Sequence, residues 1–240
     1  KEKIRLKFLE GCLDKGLTDK KADEIWKNLV RFSSYGFNKA HSIAYSAISF
    51  QCAFLATYHT NEWLCAWLTS ESEEKKERAI NLCKSLGYLV KFADINTSHG
   101  NKWQISSDNK TLIAPLLSLK GLGEKAIEQL LAHRPFKTVD ELLFHPDIAY
   151  NKLNKKAFDV LIRAGACDTL IDDRFKHKKH FWHSVAADKP KTLNHLLENI
   201  EAFADEPDFT TAETITNLST LSGIFPIELS AIDSIDLQET

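Results

Sequence analysis

From Lys39 to about His59 the chain carries apolar residues on nearly every face of a helix, among them Ile43, Ala44, Tyr45, Phe50, Phe54 and Leu55. A helix that is apolar all round wants partners on several sides, so it is expected to lie buried, with the rest of a helical fold packed about it. The stretch feeding it, Ser34 to Asn38, reads as a tight turn. Gly36 permits the turn conformation, and Asn38 can accept an orphan backbone N–H of the first helical turn. Lys39 and His41 stand in that first turn, where the helix dipole disfavours a cation. Dipole, free N–H groups and cations together suit an anion such as phosphate. A capped core helix with two solvated polar residues accounts for the same pattern.

At 240 residues the chain can hold one or two domains with real cores. Its 43% hydrophobic and 27% charged content is that of a soluble globular protein, and a cytoplasmic setting is expected. The net charge of −2 gives no global nucleic-acid signal, so any contact with DNA must come from local basic patches. Five cysteines form no Cys-x-x-Cys pair and suggest reduced, buried thiols. No apolar run is long enough to span a membrane. The chain starts at Lys1 and holds no methionine, which suggests a piece of something longer.

The order of elements predicts a mainly α fold. Residues 3–15 place Ile4, Phe8, Cys12 and Leu13 on one helical face, with Gly16 as a stop. Thr18 can cap a second helix carrying Ala22, Ile25, Trp26, Leu29 and Val30. Residues 73–86 form an amphipathic helix with Ala79, Leu82, Cys83 and Leu86 inward and Glu73 to Arg78 solvated. Three short β-prone runs follow, Tyr88 to Phe92, Lys102 to Ile105 and Thr111 to Ala114, separated by turn-rich segments. Next comes Leu119-Lys120-Gly121-Leu122-Gly123-Glu124-Lys125. Its two glycines let backbone N–H groups point outward at the mouth of a helix whose buried face is Ile127, Leu130 and Leu131. Thr138 to Glu141 is a capping box, and Asn154-Lys155-Lys156 opens a helix through Phe158, Leu161 and Ile162, closed by Gly165. The glycine turn is the helix-hairpin-helix pattern, a non-specific binder of DNA phosphates, although an ordinary hairpin loop would also explain it.

These residues resemble the C-family replicative DNA polymerases, the bacterial polymerase III alpha subunits. The family's fingers signature, Tyr-Gly-Phe-Asn-Lys-Ser-His followed by Ala-Tyr, is matched at Tyr35, Gly36, Phe37, Asn38, Lys39, His41, Ala44 and Tyr45, with Ala40 for Ser. Phe8, Gly11, Ile25 and Trp26 match the preceding helices, and Glu62 to Leu64 with Leu68 to Glu71 the following one. Asp94, Ile95, Asn96 and Ser98 resemble a Pro-Asp-Val-Asn-x-Ser segment, read here as a connector. Asn154 to Ala166 resembles the run that ends the family's tandem hairpins, with Lys156 for Arg. The resemblance implies a fingers segment over 1–86, a small β connector over 87–118, a tandem helix-hairpin-helix domain over 119–168, and a basic helix and tail over 169–240. It implies contact with the incoming deoxynucleoside triphosphate or template through Asn38, Lys39, His41 and Ser42, and a grip on duplex phosphates through Lys120, Gly121, Gly123, Lys125, Lys155 and Lys156. The partners implied are primer–template DNA and the rest of a polymerase, its palm and thumb.

Nucleotide addition needs two metal ions held by clustered carboxylates. The family's Asp-x-Asp-x-Asp-like palm motif has no counterpart here, so no catalytic residue and no metal site is expected in this chain. Mg2+ would be held by residues outside it, and the chain alone should be inactive as a nucleotidyltransferase. No sliding-clamp peptide is found between Val185 and Phe209. Arg174 to His183 reads as a solvated basic helix or a phosphate-contacting face. His177, His180 and His183 fan round a helix rather than converging on a metal. Beyond it, Thr211 and Glu213 begin a polar helix ending near Ser222-Gly223, and Asp233 and Asp236 are read as part of a frayed end. Two other classes remain in view. One is a non-catalytic helix-hairpin-helix binding or scaffold module. The other is a helix-hairpin-helix glycosylase, whose catalytic Asp could only be Asp140.

Overall fold

A computed structural model describes residues 2–34, 38–149 and 151–225. The chain divides into two compact units, residues 1–58 and 59–240. The first holds α1 (Glu2–Asp14), α2 (Asp19–Ser34) and α3 (Lys39–Tyr58). Gly16, at φ +82°, ends α1 as anticipated. The α1–α2 pair closes on Phe8 and Trp26, with ring centroids 5.4 Å apart, and on buried Ala22. Arg5 reaches across to Asp23 at 3.0 Å, and Asp23 also holds Lys27.

The expectation for α3 is overturned. Its bounds agree, but none of its residues is buried: Phe50 is 71% exposed and Tyr58 70%. All-round apolarity says that a helix wants partners; it does not supply them. A 58-residue unit whose other two helices spend their contact face on each other lacks the surface to wrap a third.

The second unit begins with α4 (Thr60–Ser70) and α5 (Glu73–Ser85), which pack on a three-stranded sheet. The strands β1 (Leu89–Lys91), β2 (Gln104–Ile105) and β3 (Thr111–Ile113) coincide with the three β-prone runs. Their order is β1-β3-β2, with β1 parallel and β2 antiparallel to β3. Leu64, Leu68, Ala79, Ile80, Cys83, Trp103 and Leu112 fill this first core. Here α5 corrects the sequence reading. Ile80 is buried, while Leu82 and Leu86 are about half exposed, because the sheet meets the Ala79–Ile80–Cys83 edge of the helix.

A larger core holds the hairpin region: α6 (Glu124–His133), α7 (Val139–Leu143), α8 (Lys155–Arg163), α9 (Lys178–Trp182), α10 (Leu193–Ala202) and α11 (Thr211–Ser222). Leu130, Leu142, Phe158, Leu161, Phe181 and Leu196 are among its fully buried members. A turn of π-helix, His183–Ala187, continues α9. The Asp94–Ser98 connector joins the two cores. Ile95 N–H donates to the Ala166 carbonyl, and the Asn96 amide brackets Phe136 with two 2.8 Å hydrogen bonds, one to its carbonyl and one from its N–H. All five cysteines are free; Cys83 and Cys167 are buried, and burial pushes the Cys83 thiol up to about 11. No helix among the described residues is long and apolar enough to cross a membrane.

Candidate nucleic-acid interface

The glycine turn is built from both sides. Leu119 and Leu122 are buried anchors, and between them Gly121 takes φ +94°, a conformation an L side chain resists. Leu122 N–H closes the turn on the Leu119 carbonyl at 3.1 Å, and Lys120 N–H donates to the Leu221 carbonyl at 2.7 Å, strapping the turn to the end of α11. Gly123 then caps α6 at φ −80°, ψ 150°, without a side chain to accept an orphan N–H. A Cβ added at Gly123 would meet nothing within 4 Å. Glu124 in the first turn of α6 has the wrong sign for an anion, so the positive potential there must come from the flanking lysines.

The second helix mouth stands beside the first. Asn154 caps α8 by accepting Ala157 N–H at 3.0 Å, as its sequence position anticipates. Lys155 and Lys156 occupy the first turn, which holds no acidic residue. A Cβ placed on Gly121 would lie 3.6 Å from Cε of Lys156 and 3.4 Å from Cγ2 of Val160, so α8 passes directly across the glycine turn. Lys120, Lys125, Lys155 and Lys156 are all exposed, and none forms an ion pair among the described residues.

The other basic stretch is different, and the reading of Arg174 to His183 as a solvated basic helix is corrected. Arg174 bridges Asp140 at 3.1 Å and Asp172 at 2.7 Å, which holds the Asp172 carboxyl below its usual range. Lys178 pairs with Asp168 and Lys179 with Glu213. His177 caps α9 by accepting His180 N–H. His180 is 1% exposed, bonded to Lys176 N–H through Nδ1 and to the Ile200 carbonyl through Nε2, and His183 meets Glu206. The cations are absorbed by carboxylates, Asp172 close by in the chain and Asp140, Asp168 and Glu213 farther off, and the histidines are tied to protein groups, His177 and His183 both at Glu206. Asp140, held by Arg174, is not poised as a glycosylase acid.

The Thr138 cap also departs in detail: Thr138 accepts Glu141 N–H, but the Glu141 carboxylate returns to Lys137 N–H. At the mouth of α3, Asn38 accepts Ala40 N–H at 2.9 Å, and its carbonyl accepts Ser42 N–H. Lys39, His41 and Ser42 are exposed, with His41 stacked on Tyr45 at 4.2 Å. Tyr35, Gly36 and Phe37 lie outside the described residues, as do Asp233 and Asp236. The structure thus gathers the hairpin residues at one adjoining pair of helix mouths and the Asn38–Ser42 group at another. One grouping escaped the sequence reading: His133, His145 and Asp147 bring three ligand atoms within 4.8 Å of one another. Their spacing in the chain carries no metal motif.

Two adjoining helix mouths, one opened by a glycine turn and the other by an asparagine cap, suit a helix-hairpin-helix fold, and residues 87–177 match the helix-hairpin-helix motif family. Relatives narrow this. Over 177 residues the chain is 34% identical to the DNA polymerase III subunit alpha of Helicobacter pylori, covering 69% of this chain and 14% of that protein. It is 30% identical over 201 residues to the subunit of the same name from Pseudomonas aeruginosa, covering 81% and 17% respectively. The Aquifex aeolicus subunit is 31% identical over 169 residues, 68% of this chain and 14% of the relative. The chain belongs to the bacterial DNA polymerase III alpha-subunit family, and it spans well under a quarter of the length of these relatives.

Proposed function

We propose that this chain serves a DNA-directed DNA polymerase as the distal part of its fingers together with its tandem hairpin domain, with the domain limits read from the sequence. The hairpin domain grips the backbone of duplex primer–template DNA without regard to sequence. The observation carrying this reading is the contrast in charge pairing. Among the described residues, four exposed lysines at two adjoining helix mouths have no ion-pair partner, while the basic run at 174–179 is largely neutralised by carboxylates. A phosphate approaching the glycine turn meets open backbone at Gly123 and cations on either side.

In the fingers part, Asn38 shapes the helix mouth, and Lys39, His41 and Ser42 face the triphosphate of the incoming nucleotide or the template. Lys39 and His41 offset phosphate charge. The carboxylates and Mg2+ of the palm belong to residues outside this chain, so the chain binds and positions while another part performs the transfer. Clamp contact is not assigned to it. Two experiments test this. The purified chain should bind primer–template duplex in a salt-sensitive manner yet fail to extend a primer; unaided extension would overturn the division of labour. Lys39→Ala in a complete polymerase should raise the apparent KM for nucleotide, and an unchanged KM would remove Lys39 from the triphosphate. Duplex binding indifferent to a 3′ end, with no nucleotide effect of any α3 substitution, would instead mark a non-catalytic binding module.

A further inference from the structure

The His133–His145–Asp147 cluster lies outside everything assigned above. His133 is the last residue of α6, and His145 and Asp147 sit in the turn that follows α7. The imidazole rings are 4.6 Å apart between centroids, tilted by 58°. Nδ1 of His133 lies 2.9 Å from the Gln129 carbonyl, which fixes the proton on Nδ1 and leaves the Nε2 lone pair free. That is the arrangement in which metal-binding histidines are normally held: one ring nitrogen tied to a backbone carbonyl, the other presented outward. His145 accepts Asp147 N–H on its own Nδ1 at 3.2 Å, which puts the ring proton on Nε2, so Nδ1 is the nitrogen an ion takes, in exchange for this long hydrogen bond. The Asp147 side chain is exposed and both histidines are half-buried, so an ion has a way in.

We propose that His133, His145 and Asp147 form a divalent-metal site that staples the end of α6 to the turn leading into the second hairpin. Two imidazoles and one carboxylate suit zinc and its neighbours in the transition series over magnesium or calcium, which prefer all-oxygen shells. Ligands 2.0–2.1 Å from a tetrahedral ion sit about 3.4 Å from one another. The 4.8 Å limit on the three ligand atoms therefore calls for a contraction of about 1.4 Å at most. The turn carrying His145 and Asp147 must supply it, because the wall opposite is fixed: the Asn96 amide holds Phe136 on both its N–H and its carbonyl, and Arg134 reaches the Ser98 carbonyl. Three protein ligands leave at least one position for water. The site ties two segments whose rings already touch, His145 lying against both His133 and Phe136.

The test uses the untagged chain stripped with chelator and titrated with Zn2+ against a chromophoric competitor. One equivalent should bind, and the unfolding midpoint should rise with free zinc. His145→Ala and Asp147→Ala should each weaken binding at least about tenfold, since loss of a direct ligand is no milder than loss of its supporting contacts. Asp147 is exposed, so its variant keeps the metal-free unfolding midpoint even if the histidine variant does not. Co2+ should give visible bands without a thiolate charge-transfer band. No stoichiometric zinc, equal affinity in Asp147→Ala and the parent, or a thiolate band pointing to the free cysteines would each overturn the proposal.

Discussion

Replacing Lys120 and Lys156 together by alanine should halve the salt sensitivity of duplex binding. Each phosphate neutralised adds about 0.9 to the log–log slope of affinity against salt. Four lysines at the two helix mouths therefore give a slope of roughly −3.6, or a loss of about 150-fold in affinity between about 50 and 200 mM salt. With two removed the slope falls to roughly −1.8 and the loss to about 12-fold. The fold should tolerate the change. Both side chains are exposed, and the structural bond of Lys120 is made by its backbone N–H to the Leu221 carbonyl, which alanine keeps. Fluorescence anisotropy with a labelled primer–template at three or more salt concentrations measures the slope. Lys179→Ala is the control: its ammonium is already paired with Glu213, so the slope should stay at the parent value. A parent slope near zero, or a double variant with the parent's slope, would refute the assignment of the hairpin lysines.

Gly121→Ala should destabilise by about 1–2 kcal/mol, because the residue sits at φ +94° with Val160 in contact range, and should lower the unfolding midpoint by several degrees. Gly123→Val, in open space at ordinary φ, should cost less than about 1 kcal/mol, the penalty of a poorer N-cap, while weakening duplex binding; equal losses of stability in both variants would contradict this account of the turn. Burial lowers Lys189 to about 8, its ammonium donating to the Leu153 carbonyl at 2.6 Å. The unfolded chain therefore binds more protons than the folded one between about pH 8 and 10.5, so stability should rise with pH across that window and less so in Lys189→Met. Parallel urea-unfolding profiles for the two proteins would exclude the effect. Asn96→Ala strips Phe136 of both backbone hydrogen bonds and should cost about 1–3 kcal/mol in chemical denaturation. A change below about 0.5 kcal/mol would mean that the Asn96 clamp is dispensable.

Local signals were the legible ones. The three strands, the Asn154 cap, the Gly165 stop and the start of α11 at Thr211 all depend on residues a few positions apart, and each stands where the sequence implied. Long-range partners were not legible. Nothing near Arg174 announces Asp140, and nothing near Lys179 announces Glu213, so a run of positive charge read as solvated when it is largely neutralised. The α3 error has a related cause: periodicity reports which surface a helix must hide, and is silent on whether the unit that carries it can hide it. His133 and His145 meet only because α7 turns the chain back on the end of α6, and no spacing rule encodes that return. The sequence pointed to the lysines and glycines of the two helix mouths by their local pattern. Their exposure and lack of ion-pair partners among the described residues came only from the fold.

The strap from Lys120 N–H to the Leu221 carbonyl bears on the order in which the molecule assembles. A ribosome delivers the glycine turn early and its last backbone acceptor late, after α10 and the 203–210 segment have been made. Contacts between distant parts of a chain form slowly, since the intervening loop must close first. During synthesis, then, the glycine turn exists unlatched, with its lysines in place but its geometry unset. A protease nick between α10 and α11 would return the finished protein towards that state, keeping every charge at the helix mouths while loosening the turn that aims them.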